Sequence, residues 1–322
     1  MIQIGIIGAG FMGRIHAAIL KEDARAKITA FYDPNSARAG EAAAEFGGKA
    51  AGSLEELWRL CEAVYICAPN VRHAELALQA IAARKHVFCE KPMCTELAAA
   101  ERVADAAIQS PRIFQVGHNR RFAHVYSGAR QAMVKLGPAL CAEIKMNRGE
   151  LEKPPWTADA GVTGGFIYET PVHMLDMAQW LFGPLREVYV RGGQHVYQQE
   201  DTFSALMTFD NLHCALTTCA YTGWSFPFER VEIYGKNYTI RTEEMDTLTV
   251  NGELEDFREP SHGLSREARW GYVEEDRLFL EAITAGGPAP VAPVTAMDGL
   301  ATVRAVDAVY RSLREGCAIK LK

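Results

Sequence analysis

The chain opens with an unbroken apolar run, Ile2–Ile7, which predicts a strand buried on both faces rather than the alternation of a half-exposed one. A helical pattern follows over Phe11–Lys21, then a strand-like run over Ile28–Tyr32. The next helix, Ser36–Phe46, stops at Gly47-Gly48, a C-terminal signal. Ser53, with Glu56 three residues on, has the form of a capping box opening Leu54–Leu60. Strands are expected at Ala63–Cys67, His86–Cys89 and Ile113–Gly117, with helices at His73–Ala83 and Thr95–Ile108. Repeated strand–helix units predict a parallel sheet with helices on both faces.

The pattern then changes. Phe122–Leu136 reads as helix, Cys141–Met146 as strand, and Gly164–Gly183 as a helix apolar almost all round. Strands follow at Glu187–Arg191, Thr202–Phe209, His213–Tyr221, Arg230–Tyr234 and Tyr238–Arg241. Asp210-Asn211 and Lys236-Asn237 are hairpin-type turns, so this second sheet is expected to be mostly antiparallel. Helices near Tyr272–Thr284 and Met297–Leu313 follow, and Glu243–Ala268 is polar and weakly patterned. The fold class is α/β. With 322 residues two domains are expected, over residues 1–119 and 120–322, the last helix being free to pack back on the first.

Composition narrows the field. A hydrophobic content of 48% and a charged content of 23% are those of a soluble globular protein. The net charge of −6 argues against nucleic acid as a partner, because a basic face supplies most of that affinity. No apolar run approaches the roughly 20 residues needed to span a bilayer. MIQIGIIGAGFMG lacks a charged n-region and a small-residue cleavage site and reads as a strand, not a signal peptide. The eight cysteines form no C-x-x-C pair or zinc-finger spacing, and several sit in apolar runs as reduced thiols should. A cytoplasmic location fits these features.

Gly8-Ala9-Gly10-Phe11-Met12-Gly13 follows a strand and opens a helix. Its glycines permit a tight turn and a close backbone approach to a pyrophosphate, which the helix N-terminus favours electrostatically. Asp33, twenty residues beyond Gly13, closes the next strand, where an acidic side chain accepts hydrogen bonds from a ribose. This context predicts a Rossmann dinucleotide-binding domain. Asp33 favours NAD, since a carboxylate repels a 2′-phosphate, while Arg38 either reaches such a phosphate, making NADP usable, or is solvated.

Glu90-Lys91-Pro92 stands at the C-terminal end of a parallel strand, the edge where open α/β sheets bind ligands. Lys91 there either stabilises a developing alkoxide or forms a surface pair before a helix. In Gly164–Gly183, Pro171 suits a first helical turn and Thr170 an N-cap, which puts Glu169 just before the helix and His173 in its first turn. His173, Asp176 and Trp180 share one face, a narrow polar stripe expected to point into a cleft. No recognised metal-ligand pattern is present, and no metal is expected. The stripe is either a buried histidine held by Asp176 or a proton-transfer group, for which a pKa near about 6.5 is suited. Trp156 is the candidate substrate-side aromatic, and Asn147 and Arg148, ending a strand, are candidate polar contacts. The lack of a basic cluster argues for a neutral substrate.

Taken together, the glycine loop, Pro69-Asn70 with His73, Glu90-Lys91-Pro92, Gln115-Val116-Gly117 with Asn119-Arg120-Arg121-Phe122, and Gly164–Gly183 resemble the glucose–fructose oxidoreductase, inositol dehydrogenase and MocA-like (Gfo/Idh/MocA) oxidoreductases over nearly the whole chain. The resemblance implies a Rossmann domain followed by an α/β domain with a large open sheet, and NAD(P)-dependent hydride transfer at a ring hydroxyl carbon of a sugar or cyclitol. It implies that Lys91 is the active-site lysine, that Pro69, Asn70, His73 and Glu90 lie on the cofactor side, and that the bond before Pro92 is cis. It places Asn119 on the substrate side and the catalytic base at His173. Arg120 and Arg121 read as salt-bridging scaffold. Where the family usually has an aspartate four residues before that histidine, this chain has Glu169, which either touches substrate, relays the proton or orients His173. Asp176 is then a partner of His173 or a helix-packing hydrogen-bonder. The family's usual assembly implies a homodimer or homotetramer through the open sheet. Two other activities remain open on this scaffold: an NAD-dependent glycosidase working by transient oxidation and elimination, and a non-catalytic dinucleotide sensor.

Overall fold

The computed structural model describes residues 1–151, 155–223, 228–253, 256–261, 263–285 and 293–321. The chain forms two compact units, one of Met1–His118 with Tyr272–Leu300 and one of Asn119–Gly271 with Ala301–Lys322. The chain thus returns to the first unit at Tyr272, which a single boundary at residue 119 did not anticipate.

In the first unit, strands β1 (Ile2–Ile7), β2 (Ala26–Tyr32), β3 (Lys49–Ala50), β4 (Ala63–Ile66), β5 (His86–Glu90) and β6 (Phe114–Gly117) alternate with helices α1 (Phe11–Glu22), α2 (Ser36–Phe46), α3 (Leu54–Leu60), α4 (His73–Ala82) and α5 (Leu97–Gln109). All strand pairs are parallel, in the order β3-β2-β1-β4-β5-β6 of a doubly wound dinucleotide fold. The short β3 lacks an apolar run and was not expected. The capping box is half formed: the Ser53 hydroxyl accepts from Glu56 N, while the Glu56 carboxylate takes Gly52 N instead of Ser53 N.

The core explains why the chain returns. Tyr65 of β4 stacks on Phe88 of β5 with ring centroids 4.6 Å apart. Phe279, from helix Tyr272–Thr284, meets both rings edge-on at 5.5 and 5.7 Å and is fully buried. The side-chain amide of Gln115 adds a bond to the Glu275 carbonyl.

The second unit is built on strands β7 (Ala139–Met146), β8 (Glu187–Gly193), β9 (Thr202–Thr208), β10 (His213–Cys219), β11 (Glu229–Gly235), β12 (Tyr238–Glu243), β13 (Thr247–Gly252), β14 (Asp256–Pro260) and β15 (Ile319–Lys320). Their order is β14-β13-β12-β11-β7-β10-β9-β8-β15, antiparallel except for β7 beside β10. Strands β9, β10 and β12 alternate buried with exposed residues, so one face is covered and the other open, as two-period patterning requires. β13 and β14 lie in the weakly patterned stretch, and pairing rather than apolar content makes them strands.

Helices α6 (His124–Leu136), α7 (Ala160–Thr163), α8 (Phe166–Glu169), α9 (Val172–Phe182) and α10 (Arg266–Arg269) belong to this unit, and α11 (Tyr272–Thr284) to the first. α12 (Ala296–Glu315) begins in the first unit and runs mostly in the second. Gly164–Gly183 is therefore two helices, not one. Pro171 has no N–H to continue α8, and it occupies the N-cap of α9 in place of Thr170. Among the described residues, no helix is long and apolar enough to cross a membrane. None of the eight cysteines is in a disulfide.

Candidate functional site

The first unit carries the cofactor cradle. At Gly8 φ is +95°, and a Cβ there or at Gly13 would strike the Cys67 or Gly8 carbonyl respectively, so both positions require glycine. Gly10 is the N-cap of α1, has no side chain with which to cap it, and has open space where a Cβ would project. These residues fit a pyrophosphate at the helix N-terminus. Met12 is half-buried, while the Phe11 ring is 65% exposed over the loop. Asp33 accepts from Ala9 N at 3.0 Å and Asn35 N at 2.8 Å, tying the end of β2 to the glycine loop. Each carboxylate oxygen retains a lone pair for a ribose hydroxyl. Arg38 is exposed in the first turn of α2.

At the end of β4, Pro69 is exposed and Asn70 is buried in a short 3-10 turn, Asn70–Arg72. His73 corrects its expected role. It is fully buried, with Nδ1 2.7 Å from the Pro92 carbonyl and Nε2 2.8 Å from the Ala68 carbonyl. Both ring nitrogens face backbone carbonyls, and the single N–H of the neutral ring donates to one of them according to its tautomer, so His73 is turned to the two loops. Burial pulls its pKa down against the two carbonyls, and the net shift is downward. Lys91 is half-buried on the turn that His73 holds, and the Lys91–Pro92 bond is cis, as the resemblance implied.

Sequence reading missed the groups beneath this turn. His16, on the buried face of α1 with Gly13, Ala17 and Leu20, is completely enclosed. Its Nδ1 lies 2.9 Å from both Asp276 oxygens and its Nε2 3.0 Å from Glu90 Oε1. Glu90 Oε2 accepts the Lys91 backbone N–H at 3.0 Å. Burial lowers the His16 pKa, but Asp276 and Glu90 outweigh it, and the net value lies well above the ordinary one. Burial raises Glu90, and His16 then Lys91 bring it below its ordinary value. Asp276 ends raised, because burial outweighs His16. A histidine on the apolar stripe of α1 was the signal available, since a buried ring needs partners. His16, Glu90 and Glu275 place ligand atoms within 4.8 Å of one another. Both His16 nitrogens already meet carboxylates, those of Asp276 and Glu90.

In the second unit, His173 is 7% exposed in the first turn of α9, and Glu169 is 9% exposed at the end of α8. Arg148, just past β7, puts Nη1 3.2 Å from Thr170 Oγ1 and 3.5 Å from Glu169 Oε1. Burial depresses the Arg148 pKa and Glu169 pulls it back up. Glu169 is thus answered by a guanidinium in this chain. Asn147 is scaffold instead of a substrate contact: its Oδ1 accepts from Cys219 N at 3.2 Å. Trp156 is 45% exposed in the turn Pro155–Ala158; Lys153 and Pro154 before it, like Trp224, lie outside the described residues.

On α9, Asp176 and Trp180 turn to partners within the second unit. Asp176, 1% exposed, receives Arg121 Nε at 2.8 Å and Nη2 at 2.7 Å, and the Thr302 hydroxyl at 3.0 Å. Trp180 lies under the Arg130 guanidinium, 4.5 Å from its centroid. Of the two roles open to Asp176, helix packing is the one its partners define. Arg120 pairs with Glu229 at 3.0 Å, which also accepts from the Tyr126 hydroxyl at 2.6 Å, so both arginines are scaffold as expected. Asn119 is 1% exposed and donates its amide to the Trp270 carbonyl at 2.8 Å, so that group is committed to the fold rather than to a substrate.

Comparison with known proteins agrees with this architecture. Residues 2–118 match the Gfo/Idh/MocA oxidoreductase family's NAD-binding Rossmann fold, and residues 132–321 match its C-terminal alpha/beta domain. The chain belongs to the Gfo/Idh/MocA family of NAD-binding oxidoreductases. It is 27% identical over 333 residues to the myo-inositol 2-dehydrogenase of Thermotoga maritima, covering 99% of this chain and 98% of that protein. In fold it is similar to levoglucosan dehydrogenase in complex with NADH, with a TM-score of 0.89, 19% identity, and 100% and 99% of the two chains covered. It is likewise similar to GenD2 from gentamicin A biosynthesis in complex with NAD, with a TM-score of 0.85, 22% identity, and 100% and 96% covered.

Proposed function

We propose that this protein is a dehydrogenase acting on a ring hydroxyl carbon of a neutral sugar, cyclitol or sugar derivative, with NAD preferred over NADP. The observation that carries the reading is the family match across both units, in a chain to which the sequence resemblance assigns Lys91 and His173 as the catalytic pair. Bound NAD supplies the hydride acceptor. The rest is the work of side chains. His173 takes the hydroxyl proton, and the Lys91 ammonium stabilises the incipient alkoxide. Gly8, Gly10, Phe11, Met12 and Gly13 hold the pyrophosphate, Asp33 the adenosine ribose, and Pro69, Asn70 and Glu90 line the nicotinamide side. Trp156 offers a face to a sugar ring. Glu169 orients or neutralises Arg148, and the pairing of those two charges is a further reason to expect an uncharged substrate. The open face of the second sheet, which exposes Leu206 at 49%, is where copies of the chain associate.

The test is a panel of sugars and cyclitols screened for NAD reduction, followed by two variants. His173→Ala lowers turnover by about 10²–10⁴-fold, the usual contribution of a general base. Near-normal turnover in that variant removes His173 from the chemistry. Aglycone release without net NADH identifies a glycosidase, and NAD binding without turnover on any substrate identifies a sensor.

A further inference from the structure

We propose that His16 is a positioning residue: a charged imidazolium, anchored by Asp276, that fixes the Glu90 carboxylate and through it the turn presenting Lys91. The inference rests on the reading of Lys91 given above, but its geometry stands within the first unit alone.

Three elements meet at the ring. α1 supplies His16, α11 supplies Asp276, and the last residue of β5 supplies Glu90. Each ring nitrogen faces a carboxylate at 3.0 Å or less, and carboxylates only accept, so both nitrogens must donate. That requirement makes the ring a cation. The other titratable groups packed around it are Glu275 and Tyr272 on α11 and Tyr65 on β4, with Cys67 just past β4 and Lys91 next to Glu90. Of these groups Lys91 alone is a cation, and its charge acts on Glu90. His16 is therefore the charge that keeps Glu90 ionised while Glu90 accepts the Lys91 N–H. Phe88 and Tyr272 close edge-on around the imidazole at 4.9 and 6.1 Å and hold its plane. The pyrophosphate helix and the lysine turn are thus joined by one proton-dependent link.

The sign of the pH dependence follows. His16 is raised above its ordinary 6.5, so its contribution to stability is complete below that value and is lost as pH rises through the folded-state pKa. Glu90 is lowered below 4.5, so its contribution is present above that value and is lost as pH falls through its folded-state pKa.

The test uses His16→Gln, Asp276→Asn and the double variant, each as the full chain with NAD. Gln keeps a donor and removes the charge; the paired Asn removes the buried anion left behind, so the double variant recovers folding stability that the single loses. The expected results are a ring with both nitrogens protonated at mildly alkaline pH by histidine ¹⁵N NMR in the wild type, and faster hydrogen exchange at the Lys91 amide in both His16→Gln and the double variant. With an active substrate, kcat falls by about 10²-fold in both, as a small misplacement of a reacting group costs, while NAD affinity moves far less. A neutral His16 tautomer in the wild type overturns the proposal. So does a double variant whose Lys91 exchange returns to wild type, which would make the cluster structural only. Should no sugar be turned over, the dehydrogenase reading fails, and the NMR and exchange results still decide this one.

Discussion

Removing the Asp176 carboxylate tests whether α9 carries a proton relay or a structural clamp. Asp176 and Arg121 are 1% and 8% exposed and meet through two bonds of 2.7 and 2.8 Å. At an effective dielectric near 20, charges about 4 Å apart attract by about 4 kcal/mol. Deleting one partner of such a pair leaves a buried charge and costs about 3–5 kcal/mol. The Thr302 hydroxyl also loses its acceptor, worth about 1 kcal/mol more. Asp176→Leu should therefore remove a large part of a domain stability of about 5–15 kcal/mol. Arg121→Met with Asp176→Leu removes both charges and should lie close to wild type. Urea unfolding, followed by far-UV circular dichroism and tryptophan fluorescence to separate the two units, measures both. A loss under about 1 kcal/mol in the single variant refutes the clamp, because it falls to the level of an exposed pair. A double variant as unstable as the single refutes the charge argument. In Asp176→Asn, the pH profile of turnover should keep its shape, since Asp176 is held by Arg121 and Thr302.

Two further outcomes follow from the first unit and the thiols. Asp33→Ser should lower the specificity constant for NAD and raise that for NADP; a wild-type enzyme already favouring NADP contradicts the cofactor assignment. Burial pushes Cys61 up to about 11 and Cys94 to about 12, whereas Cys317 is exposed. Iodoacetamide should label Cys317 in the folded protein and reach Cys61 and Cys94 only after denaturation, and labelling of those two at a comparable rate would refute it.

The periodicity of the chain was enough to read both sheets, because their strands are buried runs or clean alternations that local sequence expresses. β3, β13 and β14 escaped because pairing, not composition, makes them strands. The break at Thr170-Pro171 was visible as a proline but not as the end of a preceding helix, since Phe166–Tyr168 before it and Met174–Leu175 after it carry the same apolar character. The cradle was legible through its glycines, whose backbone requirement no other residue meets. The ion pairs were not. Arg121 lies 55 residues from Asp176 and His16 lies 260 from Asp276, and spacing along a helix gives no hint of partners that far away. His73 carried its own trap: a histidine beside a binding loop looks like a ligand until its ring is seen to be buried between two backbone carbonyls.

The return of the chain to the first unit has a consequence for how the protein is made. Asp276 and Phe279 reach the nucleotide domain only after strands β7–β14 of the second sheet have been synthesised. Until then, His16 has lost its anchoring carboxylate and the Tyr65–Phe88 stack lacks the ring that covers it. A ribosome-bound chain ending near residue 118 thus carries all six strands of the first sheet but leaves an apolar flank open, and the vectorial order of synthesis delays completion of the NAD-binding unit until most of the second unit is already out.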